Sequence, residues 1–460
     1  MRLPRTHVVH VLIAVTAAAL TIAPPYASAE EDQKSRDAVR DLDAVQCIYQ
    51  EGVPHTDRTG NRLMTYDSKR SFFQIGIWGN PIGEIYGHKY DLKTLTDAGF
   101  NTMWPWHGRK LEGTLSAAAD HNLQVVYMGH LTKEDAAKSK DHPNWLGNVW
   151  CDEPTGSFWG KDMQGKFDEF LEYKAGINKE APGRVVFVND VPWITPPATE
   201  WWTKWNTAGD VACHDNYPIM NRQHRARSIG GEELSNGIDR TVNLAAAANQ
   251  EQKPVWLIVG AFRVQGAGSF PFRHPTPMQL RAQVYAGLIH GATGIIYFCW
   301  DTYVCRDGHV IGMSPDPQVQ YLDPGPGKPK PSPARPMDLA AAKALWMAAT
   351  QINKEIAELT PSLLSPTVGD VDYSVEVKGE SISDDPIRCL MKPHPDGGYV
   401  LLTVNLADAV LNAIYTFPSA IQSVQRLFEN RPSPEPSDDK TTFSDHYEPF
   451  DVHVYRVVTE

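Results

Sequence analysis

The sequence predicts an α/β fold in which eight parallel strands and their helices close into a (β/α)8 TIM barrel, followed by a small C-terminal antiparallel β-sandwich. From residue 72 onward, short apolar runs alternate with helix-length amphipathic stretches, and there are eight such runs. Alternation of this kind indicates right-handed βαβ units, and eight of them favour a closed barrel. A doubly wound open sheet is the main alternative. It usually carries a Gly-rich phosphate-binding loop after its first strand, and none is present here.

The eight predicted strands are mostly continuous apolar runs, which is typical of parallel strands buried on both faces. They are Phe72–Trp78, Asn101–Trp104, Gln124–Met128, Asn148–Cys151, Arg184–Asn189, Val211–His214, Val255–Val259 and Gly294–Cys299.

Apolar spacing and end signals predict the helices between these strands. Tyr90–Ala98 stops at Gly99, and Pro277–His290 begins at a Thr-Pro pair that suits a helix start. Trp201, Trp202 and Trp205 are expected in a helix core. The other predicted helices are Gly113–His121, Gly165–Lys179, Glu232–Asn249 and Met337–Glu358.

After Pro361 the pattern changes to short strands separated by turn clusters, which predicts the β-sandwich. Its predicted strands are Tyr399–Val404, Ala413–Phe417, Ser423–Leu427 and Phe450–Val457. We therefore expect a signal peptide at 1–29, an N-terminal arm at 30–70, the barrel at 71–365 and the sandwich at 366–460.

The first 29 residues have the features of an export signal. Arg2 and Arg5 precede an apolar run over 8–22, and Ala27-Ser28-Ala29 supplies the small residues that signal peptidase needs. A retained membrane anchor is the alternative, but the run is short against a span of ~20 residues. We expect an exported protein, secreted or periplasmic, with no membrane attachment after signal cleavage.

The charge and cysteine content of the chain limit which partners, disulfides and cofactors are expected. The formal net charge of −12 makes nucleic acid an unsuitable partner. Six cysteines in 460 residues are not a disulfide scaffold, although Cys299 and Cys305 are close enough in sequence to pair. No His or Cys spacing suggests a metal site, so neither a metal nor another cofactor is predicted. The sequence leaves the oligomeric state open.

Carboxylates and indoles follow the predicted strands, at the end of the barrel where such side chains converge. Glycosidic cleavage needs one protonated carboxyl and one ionised partner, and sugar rings stack on aromatic side chains. A carbohydrate is therefore the expected substrate. The candidate residues are Trp78, Trp104, Trp106, His107, His130, Asp152, Glu153, Asn189, Asp190, Asp215, Tyr217, Trp300 and Asp301.

Within this set, Glu153 is the predicted general acid, held protonated by burial beside Trp150, and Asp215 is its base or nucleophile. The four tryptophans are expected as stacking platforms, and His107, His130 and Asn189 as hydrogen-bonding groups. Asp152, Asp190, Tyr217 and Asp301 complete the substrate-binding set. Structural alternatives stay open: Asp-Glu-Pro is also a common helix start, Asp215 also suits a turn cap, and Trp104 and Trp106 also suit packing under a loop.

These motifs, in this order, resemble the (β/α)8 glycoside hydrolases, the superfamily that includes β-galactosidases and cellulases, and bacterial members in particular. The resemblance rests on stretches spread over roughly residues 72–365. They are His142-Pro143-Asn144-Trp145-Leu146-Gly147, Asp152-Glu153-Pro154, Asp215-Asn216-Tyr217-Pro218, Pro254-Val255-Trp256, Pro275-Thr276-Pro277 and His290-Gly291-Ala292-Thr293-Gly294.

The resemblance implies an acid/base glutamate after strand four, usually behind an Asn, and a nucleophile glutamate at the end of strand seven. Glu153 matches the first position, with Asp152 in place of the Asn, but strand seven carries no carboxylate. Either another carboxylate serves, with Asp215 or Asp301 best placed, or the barrel binds glycans without cleaving them. A metal-dependent hydrolase or lyase is a third hypothesis.

Overall fold

A computed structural model of the protein describes residues 73–80, 82–85, 88–105, 110–192, 197–219, 237–249, 253–265, 272–305, 308–314, 336–365, 373–379 and 386–460. The predicted signal peptide and N-terminal arm lie outside these residues. Among the residues described, no helix has the length and apolar character needed to cross a membrane.

Eight parallel strands form a closed barrel, and antiparallel sheets follow it, which confirms the predicted fold class. All eight predicted barrel strands are present, with ends shifted by a few residues. Around the barrel each strand pairs in parallel with the next, and the eighth returns to the first through Gln74 opposite Gly294. The strands of this region are β1 (Gln74–Asn80), β2 (Glu84–Ile85), β3 (His88–Lys89), β4 (Thr102–Pro105), β5 (Gln124–Met128), β6 (Trp145–Asp152), β7 (Val185–Asn189), β8 (Ala212–Asn216), β9 (Val255–Gly260), β10 (Arg263–Gln265), β11 (Gly294–Phe298), β12 (Thr302–Cys305) and β13 (Gly308–Ile311). The eight strands that form the barrel are β1, β4 to β9 and β11.

Helices connect the barrel strands, and the predicted ones are present with adjusted ends. The predicted start of one, at Glu232, lies outside the described residues. The helices are α1 (Lys93–Asp97), α2 (Leu111–Ala119), α3 (Lys133–Ser139), α4 (Pro154–Phe158), α5 (Met163–Glu180), α6 (Ala198–Ala208), α7 (Ile238–Ala248), α8 (Pro277–Ile289) and α9 (Pro336–Leu363).

Local sequence explains where α8 begins and which residues of α6 are buried. Thr276 caps α8 in a capping box with Gln279, and Pro277 occupies the first turn, as the Thr-Pro pair predicts. Inside α6, Trp202 and Trp205 are buried, so their predicted place in a helix core is confirmed. The short α3 and α4 were not predicted, because each is too brief to show a helical period.

Large aromatic rings fill the interior of the barrel. Trp78 and Trp104 stack with ring centroids 5.1 Å apart. Phe187 meets Trp104 edge-on at 5.7 Å and Trp256 edge-on at 5.2 Å. These rings come from strands β1, β4, β7 and β9, so the interior is a packed core rather than a channel.

The C-terminal β-sandwich has one face against the barrel. Its strands are β14 (Ser374–Lys378), β15 (Ile387–Pro393), β16 (Tyr399–Asn405), β17 (Leu411–Thr416), β18 (Ile421–Leu427), β19 (Thr442–Tyr447) and β20 (Val452–Thr459). They form a three-stranded sheet, β14-β17-β19, and a four-stranded sheet, β15-β16-β20-β18. The strands β14, β15 and β19 were not predicted.

The four-stranded sheet lies between the barrel and the other sheet. Leu390, Val400 and Leu402 belong to the same core as barrel residues, and β16 is buried along almost its whole length. Arg281 on α8 donates to the carbonyl of Val452 and forms an ion pair with Glu355 at 3.1 Å. The barrel and the sandwich therefore share a continuous interface.

Candidate active site

A β-bulge near the end of the fourth barrel strand orients its acidic residues. In the pairing of β6 with β7, Val149 lies opposite Phe187 and Asp152 lies opposite Asn189. Three steps along β6 therefore match two steps along β7, which is one extra residue. Side chains alternate between the two faces of a strand, so without the bulge Cys151 would point inward in place of Asp152.

Asn189, at the end of the fifth barrel strand, links two carboxylates. Its Nδ2 donates to Asp152 Oδ1 at 2.9 Å and to Asp215 Oδ1 at 3.0 Å. Its Oδ1 accepts a weak hydrogen bond from the Cys213 thiol at 3.7 Å. Both amide hydrogens are therefore committed to carboxylates, and the expected substrate-facing role of Asn189 is replaced by a role inside the protein.

Glu153 lies beside this bridge in an uncommon backbone conformation. Its φ of 48° and ψ of 55° place a non-glycine residue in the left-handed region, at the cap of α4. Such a conformation costs on the order of 1–2 kcal/mol and is concentrated at functional sites. The side chain is 4% exposed, and its Oε2 is a buried oxygen without a hydrogen-bond partner among the described residues.

Burial and mutual repulsion favour the protonated forms of the four carboxyls of Asp152, Glu153, Asp190 and Asp215, which we call the carboxylate cluster. Burial, then the charges of Asp215 and Asp152, raise the pKa of Glu153 well above its usual value. Burial and the charge of Asp152 raise the pKa of Asp215 to about 7, although hydrogen bonds from Asn189 and Tyr217 partly lower it. Burial raises the pKa of Asp152 to about 6, again opposed by Asn189. A protonated Glu153 thus lies near two carboxyls that ionise more readily.

Asp190 has a structural role within this cluster. Its Oδ1 accepts from the backbone N–H of Thr155 at 3.1 Å and its Oδ2 from the Thr155 hydroxyl at 2.5 Å, so the carboxyl anchors the first turn of α4. It is fully buried, and its backbone oxygen accepts from the Trp202 indole. Asp190 therefore holds the start of the helix capped by Glu153, which corrects its expected role as a substrate contact.

The end of the seventh strand confirms the departure noted in the sequence. Gly260 lies four residues after the inward-facing Trp256, so by alternation its position also faces inward. A Cβ at Gly260 would lie 3.0 Å from Cδ1 and 3.5 Å from Cβ of Tyr217. The half-buried Tyr217 ring fills this place, packed edge-on against Phe262 at 5.0 Å.

The tryptophans expected as stacking platforms are mostly core residues. Trp78 and Trp104 are 2% and 0% exposed inside the barrel, and Trp300 is 5% exposed with its ring edge-on to Tyr90. Trp150 faces outward and packs against Phe158, Phe170 and Trp205, so it is not the neighbour that buries Glu153. The described tryptophans of the candidate set therefore stabilise the barrel and are not open to a sugar.

The remaining candidates separate into three groups. His130 is exposed, with its ring 5.1 Å from that of Tyr173. Asp301 is buried just after the eighth strand. Trp106 and His107 lie outside the described residues. The sequence did not identify the thiols of Cys151 and Cys213, whose pKa values are raised by burial and by neighbouring aspartates.

No group of three or more His, Cys, Asp or Glu side chains in the described part of the chain has an arrangement that would hold a metal ion. Cys299 is a free thiol that donates to the backbone oxygen of Asp301, and the side chain of Cys305, its suggested partner, is outside the described part of the chain.

Comparisons with known proteins give structural similarity without sequence similarity. No protein-family model matches the chain, and no curated protein matches its sequence. An α-amylase from Anoxybacillus superposes with a TM-score of 0.47 at 10% identity, covering 86% of this chain and 99% of that one. An endo-β-1,4-mannanase from Thermotoga petrophila gives 0.39 at 11% identity, covering 85% and 98%.

A β-galactosidase from the psychrophile Marinomonas ef1 gives a TM-score of 0.41 at 11% identity, covering 64% of this chain and 62% of that one. This chain thus spans less than two thirds of that enzyme. These three solved structures are described as an α-amylase, a mannanase and a β-galactosidase, and at these identities the similarity concerns the fold alone.

Proposed function

We propose that this protein is an exported glycoside hydrolase in which Glu153 donates a proton to the leaving glycosidic oxygen and Asp215 is its ionised partner. One arrangement supports this most: at the C-terminal end of the barrel, Glu153, whose pKa burial raises well above its usual value, lies close to Asp215, whose pKa is raised to about 7. Glycosidic bond cleavage needs this pair, one acid to protonate the leaving group and one base or nucleophile. The strained backbone and unpartnered Oε2 of Glu153 fit a group reserved for a substrate.

The substrate is proposed to be a poly- or oligosaccharide. In the reaction, the Glu153 proton passes to the leaving oxygen while water, or first the carboxylate, forms the new bond to the anomeric carbon. If water attacks directly, its proton goes to the ionised partner. If the carboxylate attacks first, water then cleaves the glycosyl ester that forms and returns a proton to Glu153, so atoms and charge balance on both routes.

The test uses purified protein beginning at Glu30 on a panel of aryl glycosides and polysaccharides. General acid catalysis contributes about 10²–10⁴-fold, so Glu153→Gln should lower kcat by that amount on polysaccharides. On aryl glycosides with activated leaving groups the loss should be much smaller, because those groups depart without a proton. Asp215→Asn should lose activity on both kinds of substrate.

Asp97→Asn is the matched control, since Asp97 is a surface carboxylate that is 62% exposed. Full activity in both Glu153→Gln and Asp215→Asn would refute the carboxylate pair. Export is tested separately, by finding the mature amino terminus at Glu30 in protein collected outside the cytoplasm.

A non-catalytic carbohydrate-binding barrel is the second candidate. The observation that favours it is the Tyr217 ring in the place where the resembled family carries its nucleophile. It predicts that glycans bind equally to the protein and to Glu153→Gln in calorimetric titrations, with no hydrolysis by either.

A further inference from the structure

We propose that the second carboxylate of the site is a bridged pair, Asp152 and Asp215, and that Asn189 is the positioning residue that holds this pair together. This inference rests on the proposed function and deepens it, because it adds Asp152 to the reacting groups. It also explains how a barrel without a carboxylate at its seventh strand can carry the required negative charge.

The geometry of the bridge supports the pairing. One nitrogen donates to both Oδ1 atoms, so these oxygens lie within two hydrogen-bond lengths of each other, under about 6 Å. The three residues come from adjacent strands, with Asp152 opposite Asn189 and Asn189 opposite Cys213, so the barrel itself sets the spacing.

The Asn189 bridge stabilises negative charge on the two carboxyls. A carboxamide nitrogen offers two hydrogens, and here both go to oxygens that carry the charge. Each hydrogen bond favours the ionised form of its carboxyl, while the proximity of the two carboxyls disfavours it. Asn189 thus keeps one negative charge available on the pair despite burial, and Glu153 nearby retains its proton.

Exposure distinguishes the two members. Asp152 is half-buried at the end of its strand, whereas Asp215 is 1% exposed. Asp152 is therefore the more accessible member of the pair, and the buried Asp215 shares negative charge with it through the bridge. A simple structural role for Asn189 would not require either carboxylate to change its protonation.

The test is a carbon-13 NMR titration of protein labelled at the aspartate carboxyls, with assignments from Asp152→Asn and Asp215→Asn. Asn189→Ala should raise the titration midpoints of both Asp152 and Asp215 by on the order of one pH unit, because the donor to the ionised form is lost. Asp152→Asn should lower the midpoint of Asp215, because a neighbouring negative charge is lost. Shifts of opposite sign are the expected signature.

Asn206→Ala is the matched control. Asn206 is as buried as Asn189, but its amide donates to the backbone oxygen of Trp202 rather than to a carboxylate. It should leave both midpoints unchanged. If Asn189→Ala does not fold, Asn189→Ser retains one donor and should shift one of the two midpoints, and Asp152→Asn tests the coupling independently.

Unchanged midpoints in the Asn189 variants, or an unchanged Asp215 midpoint in Asp152→Asn, would overturn the bridged pair. The titration needs no substrate, so it separates this inference from the proposed function. Expected shifts without cleavage of any glycoside would leave the pair standing and refute the hydrolase. In an active enzyme, the pH at which the ionised partner limits kcat/KM should rise in Asn189→Ala, in parallel with the NMR midpoints.

Discussion

Replacing Asp215 by asparagine should make the barrel more stable at neutral pH and leave its stability almost unchanged in acid. Burial and the charge of Asp152 raise the pKa of Asp215 from 3.8 to about 7. A carboxyl with a raised pKa in the folded state stabilises the fold while it holds its proton. That contribution is complete below the unfolded pKa, near 4, and is lost as the pH rises through about 7.

The size of this change in unfolding free energy follows from the pKa shift of Asp215. One pKa unit corresponds to about 1.4 kcal/mol, so a rise of about three units gives an upper value of about 4 kcal/mol. Accommodating the asparagine amide where a carboxyl was carries a cost that does not depend on pH, so it cancels when stabilities at two pH values are compared. We therefore expect the free energy of unfolding of Asp215→Asn, relative to the unchanged protein, to grow by about 2–4 kcal/mol between pH 4 and pH 8.

The natural fluorophores suit this measurement. All 13 tryptophans lie between Trp78 and Trp346, so tryptophan fluorescence reports unfolding of the barrel and not of the sandwich. Urea unfolding at a series of pH values would give the difference curve, with the surface variant Asp97→Asn as the control for loss of one charge. A difference between Asp215→Asn and the unchanged protein that stays constant from pH 4 to pH 8, or shrinks, would refute a carboxyl whose pKa is raised by burial.

Two further predictions concern packing between barrel strands and at the interface of the barrel with the sandwich. Gly147→Ala should destabilise the barrel by about 1–3 kcal/mol, because its Cβ would lie 2.3 Å from Cγ2 and 2.5 Å from the backbone oxygen of Val185. Gly113 in α2 has open space around it, so Gly113→Ala should instead stabilise the barrel by about 0.5–1 kcal/mol. Equal urea midpoints for these two variants would contradict the close contact of β6 with β7. Arg281→Met should lower the free energy of unfolding by about 3–5 kcal/mol, because it leaves the buried Glu355 without its cation. A thermal midpoint within about 1 °C of that of the unchanged protein would argue against this ion pair.

The barrel was predictable because its signals are local and repeated. Each buried parallel strand is a continuous apolar run, and turn residues separate it from the next helix, so eight strands are visible without knowledge of their contacts. The strands β14 and β19 were missed for the opposite reason. Their burial alternates along the strand and their side chains are largely polar, because only one face packs against the other sheet.

The site was only partly predictable, because the face on which a side chain lies depends on strand register. The sequence identified the acidic residues after strands four, five and six. It did not reveal the bulge that turns Asp152 inward, or that Asn189 would donate both its hydrogens to carboxylates. It also misplaced Trp78 and Trp104, since a strand end that carries an indole is identical in sequence whether the ring faces the solvent or the barrel core.

The seventh strand shows how sequence and structure limit the mechanism together. The sequence establishes that Val255–Gly260 contains no carboxylate, and the structure adds that the Tyr217 ring takes up the space beside Gly260. A glutamate introduced at Gly260 would therefore have to displace that ring before it could reach a substrate, so we expect that this substitution alone would not supply a nucleophile. In the proposed mechanism, the negative charge comes from the strands that carry Asp152 and Asp215, whose carboxyls both accept a hydrogen bond from Asn189.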